Sequence, residues 1–268
     1  MKDIISIQNV TFGYEEGKDI IKNLSLNIKE GEYVSVLGHN GSGKSTLVKL
    51  INGLLLPRDG AVFVNGLDTK SPENILSIRK TCGMVFQNPD NQLVATSVEE
   101  DVAFGLENIG VPQPEMDGLI DKALSAVSMS EFRKREPHNL SGGQKQRIAV
   151  AGILAMEPKV ILLDEATAML DPKGRNEVME IVERLNNRGI TIVHVTHHMD
   201  QALLSRRCIV VNGGEIVIDD TPINVFKNRR LEELKLKVPE IIKLINGLDI
   251  ELDEFSYEKV WEAICRLN

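Results

Sequence analysis

Gly38-His39-Asn40-Gly41-Ser42-Gly43-Lys44-Ser45-Thr46 is the stretch from which the fold is read. It fits the pattern G-x-x-x-x-G-K-[S/T]. It also stands between the apolar run Tyr33-Val34-Ser35-Val36-Leu37 and the segment Thr46-Leu47-Val48-Lys49-Leu50-Ile51-Asn52, whose apolar spacing is helical. Strand, glycine-rich loop and helix in that order are the context a phosphate-binding loop requires. Glycines let backbone N–H groups converge on phosphate oxygens, and the helix N-terminus adds partial positive charge. Lys44 is placed to reach β- and γ-phosphates, and Ser45 to ligate magnesium.

Working outward, Leu24-Ser25-Leu26-Asn27-Ile28 alternates with the period of a half-buried strand, and the first sixty or so residues read as strands with an antiparallel start. Downstream, Val160-Ile161-Leu162-Leu163 and Ile190-Thr191-Ile192-Val193-His194-Val195 flank a helix. That helix opens at Asp171-Pro172, a cap followed by proline, and closes at Arg188-Gly189. Strand, helix, strand implies a parallel sheet. From about Gln87 to Met156 strand signals are few; Ser97 to Glu100 fits a capping box, with Val98, Val102, Leu106 and Ile109 on one helical face. Cys208-Ile209-Val210-Val211 and Glu215-Ile216-Val217-Ile218 flank the turn Asn212-Gly213-Gly214 as a hairpin. The expected class is α/β, a phosphate-loop NTPase-type, mainly parallel sheet. It carries an N-terminal antiparallel β subdomain and an inserted helical subdomain.

Val160 to Leu163 ends in Asp164-Glu165, and ligands gather at the carboxyl ends of strands in such sheets. Asp164 suits magnesium, and Glu165 is placed to polarise the water that attacks a γ-phosphate. Leu140-Ser141-Gly142-Gly143-Gln144 has capping-box spacing ahead of Ile148, Ala149, Ile153 and Leu154, which makes a second glycine-lined helix N-terminus able to bind anions. His194, His197 and His198 do not read as a metal site, because strand alternation sends 194 and 197 to opposite faces.

Of the 268 residues, 31 are lysine or arginine and 39 are acidic, a net charge of −8 that argues against a nonspecific nucleic-acid binder. Three scattered cysteines carry no disulfide or zinc spacing, so a reducing compartment is expected. The opening residues lack a signal-peptide pattern, and the apolar runs fall far short of the ~20 residues that span a bilayer. A GTPase or small-molecule kinase would not explain Leu140 to Gln144, and no Asn-Lys-x-Asp guanine reader is present.

In this order the motifs resemble the nucleotide-binding subunit of ATP-binding cassette (ABC) transporters, over about residues 1 to 225. The resemblance implies ATP and Mg²⁺ as ligands. It gives Tyr14 the role of stacking on adenine, Gln87 that of sensing magnesium and the membrane partner, and Leu140 to Gln144 that of the family signature. Asp164 becomes the magnesium-site aspartate and Glu165 the catalytic glutamate. Asp171 falls in the loop that crosses the dimer interface, and His197 matches the switch histidine contacting γ-phosphate. The implied catalytic set is Glu165, His197, Lys44 and Gln87. Nucleotide contacts are implied for Tyr14, for Gly38, His39, Asn40, Gly41, Ser42, Gly43, Lys44, Ser45 and Thr46, and for Ser141, Gly142, Gly143 and Gln144. Metal contacts are implied for Ser45, Gln87 and Asp164. In the family two subunits pack head to tail, so that each phosphate loop faces the other subunit's signature.

Val85-Phe86-Gln87-Asn88-Pro89-Asp90-Asn91-Gln92 and the segment Val98 to Asn108 are similar to the ATPases of energy-coupling factor transporters, importers of vitamins and transition-metal ions. That likeness implies a second ABC ATPase as partner, in a homodimer or heterodimer, together with a transmembrane subunit and a substrate-binding membrane subunit. It implies no nucleic acid, and a peripheral place on the cytoplasmic face of the membrane. One departure is Ala168, where the family commonly has serine. The alternative is a soluble ABC ATPase of DNA repair, chromosome structure or translation. The chromosome type inserts a long coiled coil between glutamine and signature, whereas Gln87 to Leu140 is short and lacks sustained heptads. The expected layout is an ATPase domain over 1–225, with the helical subdomain inserted at about 88–156, and a C-terminal helical appendage over 226–268 that is a candidate dimer contact. In the appendage Ser256 reads as the cap of a helix with Tyr257, Val260, Trp261, Ile264 and Leu267 on one face.

Overall fold

The computed structural model describes residues 2–248, 250, 252 and 255–266. Four strands form an antiparallel sheet in the order β2-β1-β4-β5: β1 (Asp3–Phe12), β2 (Ile21–Lys29), β4 (Asp59–Val64) and β5 (Leu67–Asp68). Its β2 shows the alternation read from Leu24 to Ile28, with Leu24, Leu26 and Ile28 buried and the residues between them exposed. The second sheet runs β10-β9-β3-β8-β7-β6, built from β3 (Tyr33–Leu37), β6 (Cys82–Val85), β7 (Val160–Asp164), β8 (Thr191–Val195), β9 (Arg207–Asn212) and β10 (Glu215–Asp220). All its pairings are parallel except the β9–β10 hairpin.

Helix α1 (Lys44–Ile51) follows the phosphate-type loop and starts two residues before the helical spacing read from sequence. After α2 (Ile75–Thr81), strand β6 was not among the strands expected; four residues of Cys-Gly-Met-Val are too short to show a period, and only pairing with β7 makes them a strand. The segment beyond β6 holds α3 (Val98–Asn108), α4 (Gln113–Ala126) and α5 (Gly142–Ala155). Ser97 and Glu100 form the expected capping box, and Val98, Val102 and Leu106 are buried. Helix α6 (Pro172–Asn187) is capped by Asp171, whose carboxylate accepts from the Gly174 N–H, and it connects β7 to β8.

After α7 (Met199–Ala202) and the hairpin come α8 (Pro222–Lys227), α9 (Arg230–Glu233), α10 (Glu240–Gly247) and α11 (Tyr257–Arg266). Leu231, Leu236, Ile242, Ile245 and Val260 are buried in one cluster with Leu37, Cys208, Val210 and Phe226, so these helices cover the outer end of the parallel sheet. Burial of each such side chain stabilises by about 1.5–3 kcal/mol. Ser256 caps α11 through a hydrogen bond from the Lys259 N–H, at 3.0 Å. Val260 faces inward while Tyr257 and Trp261 are exposed; Leu267 lies outside the described residues. Among the described residues no helix is long and apolar enough to cross a membrane.

Tyr33 and His194 sit in the middle of the parallel sheet, fully covered, with Tyr33 Oη 3.4 Å from His194 Nδ1. Burial pushes the imidazole from 6.5 down to about 3, so it is neutral when folded. Its pKa is depressed relative to the unfolded chain. Its contribution to stability is therefore whole above about pH 6.5 and is lost as pH falls from there toward 3. Denaturant melts should show up to about 1.4 kcal/mol lost per pH unit from this residue below about pH 6, and His194→Gln should flatten that slope. Equal slopes in the two proteins would contradict a neutral His194.

Candidate functional site

Strand register gathers the site. Val36 and Asp164 both pair with Val195, and Val85 pairs with Leu163, so β3, β8, β7 and β6 end side by side. The loop from Gly38, Gln87, Glu165 and His197 each leave the sheet within two residues of those ends, along one carboxyl edge.

The first of these loops is shaped by close approach. Gly38 has φ +153°, and a Cβ there would lie 2.3 Å from the Val211 carbonyl oxygen on β9, which only glycine avoids. Gly43 caps α1 at φ +109° and packs against Ile20 and Ile21, the end of the loop that carries Tyr14. Tyr14 itself is exposed, its ring edge-on to Phe12 at 5.1 Å. His39, Asn40 and Gly41 are exposed, whereas Ser42 and Thr46 are buried. The His39 ring is held by Asn212 Oδ1 at 2.9 Å and the Asn40 carbonyl at 2.7 Å. Lys44 is buried and donates to the carbonyls of Gly38 and His39, at 2.8 and 3.0 Å. Burial lowers its pKa, and the charges of Glu165 and Asp164 pull it back up.

Ser45 Oγ donates to Asp164 Oδ1 at 2.7 Å. Desolvation raises the pKa of Asp164, against the opposing effect of that hydrogen bond. Next to it Glu165 sits at φ +51°, a left-handed conformation rare for a residue with a side chain and typical of functional sites. Its N–H donates to the Val195 carbonyl, and its Oε2 accepts from Gln87 Nε2 at 3.3 Å and faces His197 Nδ1 at 3.4 Å. A carboxylate so placed between an amide and an imidazole, beside a lysine and a glycine-rich loop, can orient water toward a phosphate held in that loop.

His197 lies two residues past the end of β8, so the strand alternation applied to 194 and 197 stops short of it. The three histidines are parted by depth: His194 is in the core, His197 is exposed, and the His198 ring lies against His197, tilted by 38° with centroids 4.2 Å apart.

The segment Ser141 to Gln144 starts α5, and the expected capping box is present. Gln144 N–H donates to Ser141 Oγ at 3.3 Å, and Ser141 N–H to Gln144 Oε1 at 2.9 Å. Ser141 and Gly142 are exposed, and a Cβ on Gly143 would come within 3.2 Å of Gly174 Cα, so the helix start packs on the start of α6 beside Asp171. Lys145 Nζ to Asp90 Oδ1 at 2.6 Å and Gln146 Nε2 to the Phe86 carbonyl at 3.1 Å tie this helix to the segment around Gln87. Sequence reading did not single out Thr167, Thr196, Gln201 or Arg175, which link the loops behind Glu165 and His197; no local motif marks them, since Thr167 and Gln201 are 34 positions apart and Arg175 and His198 are 23 apart.

Residues 21–168 match the family described as "ABC transporter". The chain is 50% identical to "Energy-coupling factor transporter ATP-binding protein EcfA1" of Clostridium novyi (strain NT), with 100% of this chain and 99% of that protein covered. It is 47% identical to the protein of the same name from Clostridioides difficile (strain 630), with 100% of each covered. Among solved structures, that of cbiO1 from Clostridium perfringens, described as part of the ABC transporter complex cbiONQ, aligns with a TM-score of 0.79. Its identity is 36%, over 92% of this chain and 100% of that one. The dimeric post-hydrolysis cassette MJ0796 bound to ADP and Pi aligns with a TM-score of 0.73 and 33% identity, over 81% of this chain and 98% of that one.

Proposed function

The chain belongs to the ABC transporter family, as an ATP-binding subunit of the energy-coupling factor type, and on that premise we propose how its residues bind ATP, split it and drive a membrane partner. It is the ATP-hydrolysing subunit of an importer, working with a second ATPase and membrane components. It is membrane-associated, and we place it peripherally on the cytoplasmic face. Vitamins or transition-metal ions are the cargo class, selected by the membrane components rather than by this chain.

One observation carries the residue assignments: Gln87, Glu165 and His197 meet at one carboxylate oxygen along the sheet edge where the 38–46 loop begins. Backbone N–H groups of that loop and the N-terminus of α1 hold the phosphates, and Lys44 exchanges its two carbonyl partners for β- and γ-phosphate oxygens. Tyr14 offers its exposed ring to adenine. Glu165 accepts a proton from the attacking water while His197 contacts the γ-phosphate. The oxygens of Ser45, Asp164 and Gln87 are hard donors, and the buried, desolvated carboxylate of Asp164 beside the Ser45 hydroxyl suits a divalent cation. Magnesium bound with the nucleotide supplies charge neutralisation at the β- and γ-phosphates.

The exposed Ser141 start faces away as an anion-binding helix end for the nucleotide of a second subunit, so each composite site needs two chains. A groove of about 530 Å³ lined by Leu54, Leu76, Phe86, Phe104, Ile109 and Ile153 lies beside Gln87, and its exposed apolar rim seats a helix of the transmembrane subunit. Phe86 in the groove wall adjoins Gln87, which touches Glu165, so the seat and the hydrolytic site share one segment.

Ser141→Arg puts bulk and charge on an exposed helix start. In the isolated chain ATP affinity should stay unchanged, because the chain's own phosphate loop is intact. In the assembled transporter ATPase activity should fall about 100-fold, the scale for losing a donor to developing charge. Loss of ATP affinity in the isolated variant would show that Ser141 serves its own chain's nucleotide and would overturn the composite site.

A further inference from the structure

Behind the hydrolytic pair lies a small polar cluster sealed in an apolar setting. Thr167, Thr196 and Gln201 are 2%, 1% and 6% exposed, respectively. Thr196 immediately precedes His197, Thr167 stands two residues after Glu165, and Gln201 lies on α7 just beyond His198. Thr196 Oγ1 donates to Gln201 Oε1 at 2.9 Å, and Gln201 Nε2 donates to Thr167 Oγ1 at 3.0 Å. The remaining lone pair of Thr196 is used as well, since the His198 N–H donates to its Oγ1 at 3.0 Å. A side-chain amide can accept from one hydroxyl and donate to the other, and Thr167 Oγ1 also lies 3.0 Å from Gln201 Oε1, so its hydroxyl is held by both ends of the amide.

The sheet ladder stops short of the hydrolytic residues. Asp164 pairs with Val195, the Glu165 N–H makes one more bond to the Val195 carbonyl, and beyond it no ladder holds the two loops together. The Gln201 amide takes over that work between residues 167 and 196. On the solvent side a weaker tie runs parallel: Arg175 Nη1 lies 3.4 Å from His198 Nδ1, and Arg175 Nη2 donates to the Leu170 carbonyl at 3.3 Å. We propose that Gln201 is a positioning residue for ATP hydrolysis, fixing the approach of His197 to Glu165 by clamping Thr196 to Thr167. The proposal rests on the reading of Glu165 as base and His197 as γ-phosphate contact. Gln201 acts through both and touches no substrate, and a displacement of about 1 Å at such a pair costs up to about 100-fold in rate.

The test uses the assembled transporter. Gln201→Met keeps the length of the side chain and removes both hydrogen bonds. Its kcat should fall roughly 10- to 100-fold with KM for ATP within about twofold. Gln201→Glu should recover most of the rate, because both threonine hydroxyls can rotate to donate to a carboxylate. In a Glu165→Gln background, Gln201→Met should add no further loss, since the group it positions is gone. Wild-type kcat in Gln201→Met, a rise in KM alone, or a full multiplicative loss in the double variant would each overturn the proposal. Should Gln201→Met not fold, Thr167→Val severs the same clamp from its other end and should show the same kcat-specific loss, with Thr167→Ser restoring the rate; equal rates in Thr167→Val and wild type would overturn the proposal. Normal turnover in Glu165→Gln alone would instead mark a failure of the base assignment, which separates the two ideas.

Discussion

Glu165→Gln should retain ATP, hold the subunits together in its presence, and lose hydrolysis by about 10²- to 10⁴-fold, the range for removing a general base. The amide fills the same space. Its oxygen can still accept from Gln87 Nε2, so the local geometry survives while the proton acceptor is lost. The change also removes a negative charge from beside the γ-phosphate, so nucleotide already sandwiched between subunits is held more tightly. Steady-state ATPase assays combined with size-exclusion chromatography in ATP and in ADP measure both effects. Near-normal turnover would place the base elsewhere; loss of ATP-dependent association would mean that the carboxylate shapes the interface rather than the chemistry.

Lys44→Ala should fail at the earlier step. The buried ammonium is the only side chain of the loop aimed back over the carbonyls of Gly38 and His39, and it is where the β- and γ-phosphates would draw it. Charge-assisted hydrogen bonds are worth about 1.5–3 kcal/mol each, so the loss of this contact should weaken ATP binding by about 100-fold or more. Without nucleotide the penalty should be small, since burial already disfavours the charged lysine. Calorimetric titration should show the affinity loss, and the thermal upshift that ATP gives the unmodified chain should largely vanish. Unaltered affinity would contradict the phosphate-loop assignment. In Ser141→Arg, by contrast, affinity should persist while turnover fails, which separates a defect in a chain's own loop from one in what it offers its partner.

How far the sequence reaches can be judged residue by residue. The 38–46 loop is legible because its pattern is local: glycines at fixed offsets, a lysine at the start of a helix, an apolar run before the loop and a helical apolar spacing after it. The capping boxes at Ser97 and Ser141 and the aspartate cap at Asp171 are legible for the same reason, since donor and acceptor lie three residues apart. Strand β6 was not legible, because four residues carry no period and the segment is a strand only by virtue of β7. Strand alternation applies to His194, which lies on β8, and not to His197. One is sealed in the core and the other lies past the strand end, a distinction of depth that alternation does not encode.

The sequence alone determined where the glycine-rich loop and the capped helix starts lie and which family's order of motifs the chain follows, because each motif's bonds close within a few residues. Tertiary structure alone decided what those groups do to one another. Gln87 and His197 reach the same oxygen of Glu165 from 78 and 32 positions away, and Gln201 bridges Thr167 to Thr196 through the interior. Those contacts follow from parallel strand register and the packing of loops beyond the last ladder bond. Both depend on long-range closure that no local stretch of chain can specify.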